Sequence, residues 1–117
     1  MEEYTVVVYD NRIEWFQNGT YHRIDGPAVE KKNGSKLWYQ NGKLHRLDGP
    51  ALEYKNDVKS WYQNGKRHRT DGPAVEYASG SVEYWENGKQ ISNPNEAKEM
   101  TVKEISEQLG YNVKVVK

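Results

Sequence analysis

Three copies of His-Arg-x-Asp-Gly-Pro-Ala, starting at His22, His45 and His68, hold every histidine of the chain and are the first place to look for chemistry. An imidazole beside a guanidinium and a carboxylate could move protons, ligate a metal or hold an anion. Spacing argues against a shared ion. If each copy is a two-stranded unit, equivalent imidazoles stand about 9.5 Å apart, whereas the ligands of one zinc lie within about 2.1 Å of it. A reaction centre is single and asymmetric, while this block recurs three times. No Gly-rich phosphate loop is present, and zero cysteines remove thiolate ligands, disulfides and a Cys nucleophile. The expectation is no catalytic residue, no metal and no cofactor. Trp15, Trp38, Trp61, His22, His45, His68, Asp25, Asp48 and Asp71 are read as structural repeat residues. Each His is expected to pack beside Trp with a local hydrogen bond. Each Asp is expected to accept turn amides while pairing with an Arg of its own or the next copy.

The elements that position these residues follow a period of 23. Asn18-Gly19, Asn41-Gly42, Asn64-Gly65 and Asn87-Gly88 are spaced by that interval, inside WFQNGTYHRIDGPAVE, WYQNGKLHRLDGPALE and WYQNGKRHRTDGPAVE. A fixed period is the signature of a repeat architecture. Asn-Gly between aromatic runs is the strongest short signal for a two-residue type I′ hairpin. Asp10-Asn11, Asn33-Gly34, Asn56-Asp57 and Ser79-Gly80 mark a second turn within each copy. If both loops have two residues, Val29 opposes Trp38, which opposes His45. The corresponding rows are Val6, Trp15, His22, then Leu52, Trp61, His68, then Val75, Tyr84, Ile91. The last row stays bulky where the motif is lost, so this face reads as packed. The opposite face, with Glu30, Glu53, Glu76, Arg23, Arg46, Arg69, Phe16, Tyr39, Tyr62 and Trp85, reads as largely solvated. Asp-Gly-Pro must interrupt the strand, as a bend or a reversal, which leaves two or three strand segments per copy.

The chain of 117 residues is expected to be one domain, residues 1–117: a half repeat at 5–14, full repeats at 15–37, 38–60 and 61–83, a degenerate cap repeat at 84–92, and a helix-strand cap at 93–117. Asn93-Pro94 and the NEAKE that follows suit a first helical turn. Thr101 with Glu104 makes a capping box ahead of Val102, Ile105 and Leu109. Gly110 would end the helix, and alternating Tyr111, Val113 and Val115 read as a closing strand. The fold class is therefore mainly β, an elongated antiparallel meander of hairpin repeats with a short C-terminal helix and strand cap.

Only 35% of residues are hydrophobic, against about 45–50% in an ordinary domain, which argues against a thick two-layer fold. Balanced charge, 17 basic and 17 acidic residues, together with 12% aromatics, argues equally against disorder. Net charge zero removes the long-range attraction that most nucleic-acid binders show, so no nucleic acid is expected. No stretch is long and apolar enough to span a membrane. The sequence MEEYTVVVYD lacks a signal peptide's pattern, so the expected compartment is the cytoplasm.

The 23-residue spacing, with an aromatic just before Asn-Gly as in Trp38-Tyr39-Gln40-Asn41-Gly42, resembles MORN-type repeats, and more closely the variant MORN repeats of bacterial and viral proteins. The resemblance covers residues 5–91. Ordinary MORN repeats carry a Gly-rich Tyr-x-Gly pattern, whereas this chain inserts HRxDGPA three times, a block like that in small proteins of bacteria, their phages and giant viruses. Membership implies a non-enzymatic scaffold for protein or membrane-surface contact, and some bacterial variant-repeat proteins are labelled antitoxins.

The expected function is a protein-binding repeat module, an inhibitor of a host protein encoded by a phage or an antitoxin-like factor, acting in the host cytoplasm. Tyr21, Leu44 and Arg67 differ among otherwise constant copies and mark the contact surface, with Tyr39, Tyr62, Arg46 and Arg69 beside them. The alternative is a small-anion or nucleotide binder using Arg46, Arg69 and the Trp face. The edge at residues 4–9 could also join two copies by strand addition.

Overall fold

Turn chemistry builds this molecule. The computed structural model describes residues 3–95 and 101–109. All four Asn-Gly pairs form the anticipated hairpin turns, with Asn φ of 50–52° and Gly φ of 78–81°. That is the doubly left-handed geometry of a type I′ turn, which Asn and Gly adopt with little strain. Among the described residues the chain is mainly β: an elongated antiparallel meander of hairpins and a single short C-terminal helix.

Strands β1 (Thr5–Val8) and β2 (Arg12–Gln17) open the array. They are followed by β3 (Thr20–Tyr21), β4 (Val29–Lys31), β5 (Lys36–Leu37), β6 (Tyr39–Gln40) and β7 (Lys43–Leu44). The pattern repeats with β8 (Leu52–Glu53), β9 (Lys59–Ser60), β10 (Tyr62–Gln63), β11 (Lys66–Arg67) and β12 (Val75–Glu76). Finally come β13 (Val82–Glu86), β14 (Lys89–Ile91) and helix α1 (Val102–Leu109). The main sheet runs β1-β2-β4-β5-β8-β9-β12-β13-β14, with β3 on β2, while β6-β7 and β10-β11 are separate ribbons.

Each arm of a repeat creases at its Trp. The Trp38 amide donates to the Ala51 carbonyl at 2.7 Å in the main sheet, and its own carbonyl accepts from His45 N at 3.0 Å in the Asn-Gly hairpin. Trp15 and Trp61 do the same. The hairpins are also joined to each other, Arg46 N to Tyr62 O at 3.1 Å and Gly65 N to Leu44 O at 2.8 Å. Segments β7 and β8 are both antiparallel to the arm formed by β5 and β6. Asp-Gly-Pro is therefore a bend that shifts the chain without reversing it, and each copy contains four short strand segments rather than two or three. The extents are 68 × 34 × 18 Å and the radius of gyration is 20.6 Å, against about 13 Å for a compact chain of this length.

The second turn departs from the expected register. Val29 opposes Leu37, Leu52 opposes Ser60 and Val75 opposes Glu83, rather than Trp38, Trp61 and Tyr84. The loop takes three residues: Gly34 N donates to Lys31 O at 3.0 Å and Lys31 N to Ser35 O at 2.9 Å, closing on Gly34 at φ 95°. This is a turn followed by a left-handed bulge residue, a role Asp57 and Gly80 fill in later copies. Only the half copy keeps a two-residue loop, with Val6 opposite Trp15 as expected. The Asn-Gly registers hold throughout, from Phe16 opposite Tyr21 to Tyr84 opposite Ile91.

The fully buried residues are small: Ala28, Ala51 and Ala74 are 0% exposed, beside buried Val29, Leu52 and Val75. No large side chain is completely buried among the described residues, which fits the low hydrophobic content. One face bears a ladder of alternating charge, with Glu30 opposite Lys36, Lys36 opposite Glu53, Glu53 opposite Lys59 and Lys59 opposite Glu76. Such cross-strand pairs favour this register over its neighbours. Strand β1 is one edge of the main sheet, with Val8 72% exposed. In α1, Glu104 N donates to Thr101 Oγ1 at 3.1 Å, forming the anticipated cap. Gly110, the closing strand at 111–117 and all of the NEAKE segment after Asn95 lie outside the described residues.

Candidate functional site

The recurring HRxDGP block makes the same bonds in each copy. The Arg46 guanidinium lies over the Trp38 ring, 3.8 Å from its centroid, and Arg23 and Arg69 lie 4.0 Å from Trp15 and Trp61. On its other side is Gly49, where an added Cβ would come within 2.8 Å of the Arg46 Cζ. The absent side chain lets the guanidinium lie against the backbone here; a Cβ would have to shift it. Arg46 Nε donates to Asp48 at 3.0 Å, and one terminal nitrogen reaches Pro50 O at 3.2 Å and Glu53 at 3.4 Å. Arg23 and Arg69 repeat these contacts with Asp25, Pro27, Asp71, Pro73 and Glu76. The Asp71 carboxyl is held below its ordinary range by its hydrogen bond to Arg69. The arginines thus sit on the tryptophan side, each in its own copy, and not on an opposite, solvated face. The reason is that a planar guanidinium stacks on an indole while keeping its in-plane donors for Asp and Pro.

Each histidine acts between copies. His22 Nδ1 accepts from Asn41 N at 2.9 Å, His45 Nδ1 from Asn64 N at 3.0 Å, and His68 Nδ1 from Asn87 N at 3.0 Å. The expected local bond is therefore a bond to the next hairpin's turn. Accepting at Nδ1 places the proton of the neutral ring on Nε2. The final copy has Ile91 at this position, with no further hairpin after it among the described residues. His45→Ala is expected to destabilise the array by about 1–2 kcal/mol, the cost of an orphaned turn amide plus lost packing, measured by urea unfolding. A change below about 0.3 kcal/mol would remove the clamp from this account. Among the described residues no three of His, Asp and Glu gather as a metal-ligating group.

With the block engaged internally, the opposite face carries an ordered row of side chains. The pairings give its course along the hairpins: Phe16 opposite Tyr21, Tyr39 opposite Leu44, Tyr62 opposite Arg67 and Trp85 opposite Gln90. Ring contacts carry it across copies. Phe16 and Tyr21 are 4.9 Å apart, Tyr21 and Tyr39 5.1 Å, and the Arg67 guanidinium is 5.0 Å from the Trp85 ring. All these side chains except Gln90 are half-buried, not largely solvated, because each ring leans on its neighbour. Of the residues expected at a contact surface, Tyr21, Leu44, Arg67, Tyr39 and Tyr62 lie together here, and Arg46 and Arg69 lie elsewhere, against Trp38 and Trp61.

Beside the row runs a second one in the main sheet: Glu14, Val29, Leu37, Leu52, Ser60, Val75 and Glu83 stand opposite one another in sequence. At the first repeat the two rows form the wall and floor of a trough. This groove of about 760 Å³ is lined by Glu14, Val29 and Leu37 with Tyr21, Tyr39 and Lys31. A glutamate stands at each end of the second row. Tyr21 Oη and Arg12 Nε each donate to Glu14 at 2.9 Å. Burial alone would raise the Glu14 pKa, but these two hydrogen bonds outweigh it and hold the carboxyl below its ordinary range. At the other end Trp85 Nε1 and Tyr77 Oη donate to Glu83 at 2.8 Å, which lowers its pKa as well. The Tyr39 phenol is pushed up by burial, then by the nearby Tyr54 and Tyr62.

Sequence reasoning missed the floor, although a signal existed. Positions 14, 37, 60 and 83 read Glu, Leu, Ser and Glu, a variation among copies like that at 21, 44 and 67.

No helix among the described residues is long and apolar enough to cross a membrane. No protein-family model, curated protein or solved structure matches the chain.

Proposed function

We propose that this chain is a non-enzymatic, MORN-like protein-binding repeat module whose partner docks along the aromatic trough. One observation carries the reading: the residues that differ among copies, Tyr21, Leu44 and Arg67, fall on one continuous row with Tyr39 and Tyr62, while the constant residues are consumed by internal bonds. A constant frame with variable exposed positions is how repeat proteins write specificity. Aromatic and Arg side chains are also the types that dominate binding energy at interfaces. The anion-binding alternative loses support because Arg46 and Arg69 spend donors on Asp, Pro carbonyl and Glu within their own copy. An inhibitory or antitoxin-like role, with a host protein or toxin in the trough, is the form of this reading that the repeat resemblance favours.

The test is capture from an extract of the source cells by immobilised protein, comparing wild type with a Tyr21→Ser/Leu44→Ser/Arg67→Ser variant of matched thermal stability. Wild type is expected to retain a stoichiometric partner, with the variant weakened about 100-fold or more. Equal capture by both would sink the reading.

A further inference from the structure

We propose that Asn18 is a site of spontaneous covalent modification: of the Asn-Gly pairs in this chain it is the one that deamidates in the folded protein, becoming aspartate and isoaspartate. Asn followed by Gly is the pair most open to this reaction, because no Cβ shields the attacking nitrogen. The Gly19 nitrogen gives up its proton and attacks the Asn18 side-chain carbonyl carbon, Cγ. The N–Cγ bond forms, the Cγ–Nδ2 bond breaks, and ammonia leaves with that proton, closing a succinimide ring. Water then opens the ring at either carbonyl and leaves a carboxylate.

Local sequence and turn geometry do not separate the four hairpin turns. Gln-Asn-Gly or Glu-Asn-Gly stands at each, all are exposed, and Asn φ of 50–52° and Gly φ of 78–81° recur throughout. What separates them is the hairpin that comes before. Gly42 N donates to Tyr21 O at 2.9 Å, Gly65 N to Leu44 O at 2.8 Å and Gly88 N to Arg67 O at 2.9 Å. In the same three turns the Asn41, Asn64 and Asn87 amides are held by the preceding histidines. Neither Asn18 N nor Gly19 N has such a partner among the described residues. Cover follows the same division. A Cβ on Gly42, Gly65 or Gly88 would meet Thr20, Lys43 or Lys66 at 3.4, 3.7 and 3.6 Å, whereas one on Gly19 would meet nothing within 4 Å. The fifth pair, Asn33-Gly34, is held as well: Gly34 N donates to Lys31 O at 3.0 Å, and Asn33 Oδ1 accepts from Ser35 N at 2.9 Å.

A bonded N–H is harder to deprotonate, and the Gly nitrogen cannot swing toward Cγ without breaking its bond to the preceding arm. One such bond of ordinary net strength slows the reaction about tenfold. The product also changes the first copy. Isoaspartate carries its Cβ in the main chain, so the two-residue turn lengthens and the pairings it sets, Gln17 with Thr20 and Phe16 with Tyr21, lose their register. Tyr21 then loses its fixed approach to Glu14, now 2.9 Å.

The experiment incubates the full chain in mildly alkaline buffer and follows aspartate plus isoaspartate at each Asn-Gly pair by peptide mass spectrometry. A parallel sample is kept unfolded in urea. In the folded chain Asn18 is expected to react about tenfold or more faster than Asn41, Asn64 and Asn87, and in urea the four rates should fall within about twofold of one another. His22→Ala removes the acceptor of the Asn41 amide and should speed Asn41 about threefold, with Asn64 and Asn87 at their wild-type rates as internal controls for global unfolding. Equal rates in the folded chain, or another hairpin turn ahead of Asn18, overturn the proposal. So does the same Asn18 lead in urea, which would trace it to local sequence, or an unmoved Asn41 in the His22→Ala chain.

Discussion

Replacing Trp38 with alanine is expected to destabilise the array by about 3–4 kcal/mol, a large part of what a domain of this size can lose. The ring does two things at once. It buries apolar surface at the crease between the main sheet and the hairpin, and it forms one side of the sandwich that holds the Arg46 guanidinium 3.8 Å from its centroid. Without the indole, Arg46 keeps its bonds to Asp48 and Pro50 but loses its packing partner, so the Asp-Gly-Pro bend is no longer pinned. Since each copy is stabilised mainly by its neighbours, the array should also unfold less cooperatively, seen as a broader urea transition by circular dichroism. Trp38→Phe keeps a ring face and should cost about 1–2 kcal/mol. An alanine variant within about 1 kcal/mol of wild type would show that the stacked ring does not organise the crease.

Ala51→Leu should be nearly as harmful, by adding atoms instead of removing them. Ala51 is 0% exposed, and its backbone is bonded on both sides, accepting from Trp38 N at 2.7 Å and donating to Ser60 O at 2.9 Å. The chain cannot step aside without breaking one of these bonds, so the larger side chain must distort its surroundings, at about 2–3 kcal/mol. For a domain this small that is a fall in melting temperature of about 10 °C or more, readable by calorimetry. Ala28 and Ala74 occupy equivalent positions, also at 0% exposure, and should respond alike. An unchanged melting temperature would mean that the alanine row is not a close-packed seam.

How far these features were legible in the sequence depends on how local their causes are. The Asn-Gly turns were readable because a type I′ turn demands two residues that tolerate positive φ, and that pair fixes the register of everything beside it. The second turn was misread by one residue because Asn33-Gly34 suits either a two-residue loop or the end of a three-residue loop, and only the position of Ser35 opposite Lys31 separates them. The period located every His, Arg and Asp, yet not the partner of any of them. His45 finds its acceptor role 19 residues away, in the next copy, and no local rule names that contact. Gly49 reads as a strand breaker, whereas its structural reason is a guanidinium lying against its Cα. Tyr21, Leu44 and Arg67 were visible as variable positions on a constant frame. The row from Glu14 to Glu83 varies in the same way, but joining its members into one face requires the corrected register.

The imidazole contacts all point one way, from each hairpin to the turn of the one that follows. The stack therefore has a head and a tail, and its interior joints are interchangeable: any unit ending in His meets any unit beginning with Asn-Gly. Gene duplication or excision in whole steps of 23 codons would leave every joint chemically intact, lengthening or shortening the molecule by about 9.6 Å each time. Size is thus a digital variable in this architecture, and with it the span of whatever cargo lies along the rings.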